Sequence, residues 1–134
     1  MTRSFKPALA VAAVAMLSAA GSAIAHHSFA AEFDRDKRIS LTGTVTEMRW
    51  SNPHAWIYID VEDENGKIVN WALETRAANN LIRLGWRPQD VPAGAVLIVD
   101  AFQARNDSPT GSIESVTFSD GRQLFVGAPS TSGQ

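Results

Sequence analysis

The stretch ISLTGTVTEMRW, Ile39 to Trp50, decides how this chain folds. Ile39, Leu41 and Val45 alternate with Ser40, Thr42, Thr44 and Thr46, the period of two of a half-buried strand. Past Thr46 the apolar side changes, because Met48 and Trp50 fall on the threonine face. Side chains alternate strictly along a regular strand, so a change of face calls for a bulge or a sharp bend. Gly43 eases strong curvature at that point. Such a strand can serve both sides of a sheet that curls on itself.

The rest of the chain supplies its neighbours. Ser51-Asn52-Pro53 ends the long strand, and Ala55 to Val61 forms a second. There Ile57, Ile59 and Val61 share one face, and Trp56, Tyr58 and Asp60 the other. Asn65-Gly66 is a strong hairpin signal, returning the chain through a third strand, Ile68 to Glu74. Thr75 is placed to cap a helix running through Leu81 and Ile82 to Leu84, and Gly85 stops it. Ala95 to Ala104 and Ser112 to Phe118 read as strands four and five. Asp120-Gly121 then turns the chain into a short sixth strand, Gln123 to Val126.

This order predicts a mainly β fold. It fits an OB-fold-like, five- to six-stranded antiparallel Greek-key barrel with one helix between strands 3 and 4. An open antiparallel sheet with one helix packed across it is the other arrangement considered.

The first residues read as an address. Arg3 and Lys6 precede an apolar stretch from Ala8 to Ala20, and Ala23-Ile24-Ala25 offers small residues where a signal peptidase cuts. That stretch is shorter than the about 20 residues of a membrane span. The predicted organisation is a signal peptide over 1–25, an N-terminal arm over 26–38, a barrel domain over 39–126 and a disordered tail over 127–134. In the arm, Phe29 and Phe33 suit one helical turn, and the charged run Asp34 to Arg38 reads as a solvated link. The expected location is the periplasm, with no stable membrane insertion once the signal is removed. The remaining length suits one small domain and a monomer.

The sequence of 134 residues has 12 basic and 14 acidic side chains and no cysteine. A nucleic-acid binder would carry a basic patch or stripe, and none is visible. Without cysteine there are no disulfides, thiolate metal sites or thiol catalysis. Ser, His and Asp occur, but not as a nucleophile elbow, so no catalytic residue is assigned and the protein is read as a non-enzyme. Asp60, Glu62, Asp63 and Glu64 lack the spacing of a calcium-binding loop and read as a solvated hairpin tip.

Taken together, HHSFAAEFD, GTVTEMRWSNPHAWIYIDVED, NWALE, LGW and SDGRQLF resemble a bacterial family of small exported proteins catalogued as domain of unknown function 6152. The resemblance implies export and one small β-domain. It implies no activity and assigns no functional residue.

Chemistry points to the three histidines, His26, His27 and His54. Cleavage after Ala25 would give His26 a free α-amine beside its ring, so one residue could chelate a metal ion through two nitrogens. The ring of His54 would complete a three-nitrogen set, with His27 in support. Copper(II) favours nitrogen ligands in tetragonal geometry, and the arrangement is similar to the histidine brace of secreted copper proteins. The first strand spans roughly 36–40 Å, and an extended arm could run about as far back. Met48 is the only methionine after Ala25, which excludes a methionine-rich copper(I) site. The aromatic residues offer an alternative. Trp56 and Tyr58, with Trp50, would form the ligand face of a non-catalytic binding or adaptor module for a glycan, a peptide or an envelope protein.

Overall fold

The computed structural model describes residues 29–126. The expected signal segment, His26, His27 and the expected tail lie outside them. Residues 29–32 are helical. Then come β1 (Phe33–Arg49), β2 (Trp56–Glu62), β3 (Ile68–Glu74), helix α1 (Ala78–Arg83), a 3-10 turn (Pro88–Asp90), β4 (Val96–Ala104), β5 (Thr110–Phe118) and β6 (Gln123–Phe125). The fold is mainly β, with the strands in one sheet of order β3-β2-β1-β4-β5-β6. Neighbours in that order are antiparallel, and β3 also pairs with β5 in parallel, from Ala72↔Thr110 to Glu74↔Ser112.

β1 behaves as its sequence predicts. Its Arg38–Thr44 segment pairs with β4, and its Thr44–Arg49 segment pairs with β2. The β1–β2 register steps from Val45↔Ile59 to Glu47↔Tyr58, so Thr46 is the extra residue of a bulge. This is where the apolar side switches: Gly43 and Val45 are buried before it, Met48 and Trp50 half-buried after it. A Cβ on Gly43 would stand 2.6 Å from the Asp60 carbonyl oxygen. Glycine is therefore what lets β1 come this close to β2.

β1 begins at Phe33 rather than at Ile39. The run Asp34 to Arg38 is strand, not a solvated link. Phe33 is buried opposite Ala104, and Arg38 pairs with Phe102 across an irregularity. The charged residues lack an alternating apolar face, so the signal for a strand is absent locally. Their partners come from distant loops and strands instead: Lys37 bonds Asp107 at 2.6 Å, Arg38 pairs with Glu114 at 3.3 Å, and Arg105 lies 3.8 Å from Asp34.

The core gathers alternate residues of the strands. Ile57, Ile59, Leu73, Leu97, Val99 and Val116 are wholly buried. Helix α1 adds Leu81, and the loop after it adds Trp86 and Val91. The helix ends as predicted. Gly85 has φ of 90°, the Gly85 N–H bonds the Ile82 carbonyl, and the Trp86 N–H bonds the Leu81 carbonyl. This pair of bonds, with Trp86 packed near Leu81, is a Schellman ending. The start differs from expectation. Ala77 is the N-cap, with no side-chain cap. Thr75 is buried, and the Ala78 N–H is served by the Ser51 carbonyl at 3.1 Å. A main-chain acceptor from the β1–β2 loop thus replaces the threonine hydroxyl.

Candidate functional site

His54 stands in the short loop between β1 and β2. Hydrogen bonds fix that loop. The Ser51 hydroxyl donates to the His54 carbonyl at 2.7 Å. The Ala55 N–H bonds the Arg76 carbonyl at 3.0 Å, and the Thr75 N–H bonds the Ala55 carbonyl at 2.9 Å. Asn52–Pro53 is a cis peptide bond. The hydrogen bonds stitch the loop to the segment that joins β3 to α1.

The His54 ring is tied to that same segment. Its Nδ1 lies 2.8 Å from Glu74 Oε1 and 3.1 Å from the Thr75 carbonyl oxygen. The Glu74 side chain is sheltered, at 13% exposure, while that of His54 is 52% exposed. The ring is therefore anchored along one edge and open along the other. Among the described residues, no group of three or more His, Asp or Glu gathers to hold a metal ion. His54 is the one expected metal ligand that can be placed, since His26 and His27 lie outside the described residues.

The aromatic candidates separate. Trp56 and Tyr58 are half-buried on the face of β2 opposite the buried Ile57 and Ile59. Trp50 instead packs against the core, as do Met48 and Trp71. Trp56 pairs with both Arg49 and Glu74, and Tyr58 with both Glu47 and Ala72. The Arg49 guanidinium lies over the Tyr58 ring, 5.2 Å from its centre, and also bonds Glu47 at 3.3 Å. Further along the face, the Asn70 amide donates to Asp60 at 2.8 Å and to the Thr46 hydroxyl at 3.2 Å. This surface combines two rings with fixed polar groups, and His54 and Glu74 lie at its end.

The acidic hairpin tip holds its own turn. Asp63 accepts hydrogen bonds from the Asn65 and Lys67 N–H groups, both at 2.9 Å. Asp100 is half-buried and accepts a bond from the Ser115 hydroxyl at 3.0 Å.

Sequence reasoning missed Glu74 and Thr75 as partners of His54. One signal could have found Glu74. The hairpin at Asn65-Gly66 sets the register Glu62↔Ile68, and counting back along both strands brings Trp56 opposite Glu74. A residue two before Trp56 is then close to the end of β3.

These features describe a small β-domain with one anchored histidine and an aromatic outer face. The chain matches a family of unknown function (DUF6152) over residues 13–114 and belongs to it. No curated protein and no solved structure matches it.

Proposed function

We propose that this is an exported periplasmic metal-binding protein, with copper(II) as its first metal, that works without catalysis and as a monomer. Cleavage after Ala25 would free the α-amine of His26. That amine and the His26 ring supply two nitrogens, His54 supplies the third, and His27 supports them. One observation carries the reading: the exposed imidazole of His54 is held by one nitrogen to sheltered acceptors, which leaves the other nitrogen for an external ion.

The finer architecture belongs to the same proposal. We read the sheet as an OB-type closed Greek-key barrel. The circuit of pairings β1–β2–β3–β5–β4–β1, with β3 and β5 parallel and α1 between β3 and β4, supports it.

The test uses protein exported and processed by the cell, its N-terminus verified by mass spectrometry, and titrated with copper(II). A variant with one alanine ahead of His26 and the His54→Ala variant are both expected to bind more weakly. Equal affinity in all three proteins overturns the proposal.

A second reading has its own observation. Trp56 and Tyr58 face away from the core beside ordered polar groups, as expected of a binding or adaptor module for a glycan, a peptide or an envelope protein. Trp56→Ala and Tyr58→Ala would abolish such binding and leave copper affinity unchanged.

A further inference from the structure

We propose that Glu74 and the Thr75 carbonyl hold His54 in its Nδ1–H tautomer, so that Nε2 is the nitrogen that meets a divalent metal ion. This rests on the metal-binding reading above and assigns Glu74 the role of a positioning residue.

The argument starts from donors and acceptors. A neutral imidazole has one nitrogen bearing hydrogen and one bearing a lone pair. His54 Nδ1 sits 2.8 Å from Glu74 Oε1 and 3.1 Å from the Thr75 oxygen. A carboxylate and a main-chain carbonyl only accept. A lone pair at Nδ1 would face two others, so the hydrogen belongs there, shared between the two oxygens. The lone pair then lies at Nε2, which has no partner among the described residues.

The surroundings favour a fixed ring. The main chain at and just after His54 is bonded: its own carbonyl accepts from the Ser51 hydroxyl, and Ala55 exchanges bonds with the Thr75–Arg76 segment. Glu74 is itself a strand residue, in register with Trp56, and is sheltered from the water that would compete for its oxygen. Metal-binding histidines commonly donate their other ring N–H to a carboxylate or carbonyl, which fixes the ring and makes the ligand nitrogen more basic. Glu74 would also offset part of the charge of a bound cation.

Two measurements on naturally processed protein test this. The first needs no metal. Long-range proton–nitrogen correlation spectra of 15N-labelled protein report which ring nitrogen carries hydrogen. The expected result is hydrogen at Nδ1 in the wild type and a shift toward the Nε2–H form in Glu74→Ala. The second is copper(II) titration of Glu74→Ala and Glu74→Gln, with urea unfolding of each to verify that they remain folded. Glu74→Ala should lose about 10–100-fold in affinity, and Glu74→Gln less, because its amide oxygen can still accept.

An Nε2–H tautomer in the wild type overturns the inference. So do Glu74 variants that bind copper as the wild type does while His54→Ala binds weakly. If the wild type has the Nδ1–H tautomer but binds no copper, the proposed function and the ligand role of Nε2 fall together, and only the anchoring by Glu74 stands.

Discussion

Gly43→Ala tests the reasoning about the fold most directly. A methyl group at this position would meet the Asp60 carbonyl oxygen at 2.6 Å, Val61 Cγ2 at 3.0 Å and Ile59 Cδ1 at 3.1 Å. The side-chain atoms can give a little. The carbonyl cannot, because Asp60 lies in the ladder opposite Thr44, and Ile59 next to it is wholly buried. β1 would have to move away from β2 where it begins to pair with it. Overpacking of this kind costs about 1–3 kcal/mol, and a weakened ladder hydrogen bond adds about 1 kcal/mol. The alanine recovers about 0.4–1 kcal/mol by restricting the unfolded chain. The net expectation is a loss of about 1–3.5 kcal/mol. In urea, with a slope of about 2 kcal/mol per molar, the midpoint should fall by about 0.5–1.8 M. Equilibrium unfolding followed by tryptophan fluorescence measures this. A midpoint within about 0.3 M of wild type, at unchanged slope, would refute the claim that β1 needs glycine to reach β2.

Two further substitutions probe the region around α1. Gly85→Ala should cost about 1 kcal/mol in the same urea assay, purely from its backbone φ of 90°, since a Cβ there meets nothing within 4 Å. Trp86→Phe removes the indole N–H that bonds the Phe125 carbonyl at 3.1 Å. It also leaves a small void in a buried site, so a loss of about 2–3 kcal/mol is expected; a neutral result would mean that the β6 contact contributes nothing.

Much of the fold was legible because it depends on local rules. The face change at Thr46 follows from strand periodicity, and the turn at Asn65-Gly66 and the stop at Gly85 follow from backbone preferences. The third strand, Ile68 to Glu74, has the bounds that its pattern indicates. The Asp34 to Arg38 run was illegible as strand because its partners, such as Asp107 and Glu114, are far away in the chain. The absent threonine cap has the same cause, since the Ser51 carbonyl that replaces it belongs to another loop.

The candidate site divides in the same way. By itself the sequence determined that His54 follows a strand-breaking Asn-Pro, and that Trp56 and Tyr58 share one face of β2, because both follow from neighbours along the chain. Only the tertiary structure decided that Trp50 belongs with the core, and that Glu74 and Thr75 hold the His54 ring by one edge. Those contacts join the β1–β2 loop to the end of β3. A pattern along one strand cannot specify them, because they arise where chain segments distant in sequence are brought together by pairing and packing.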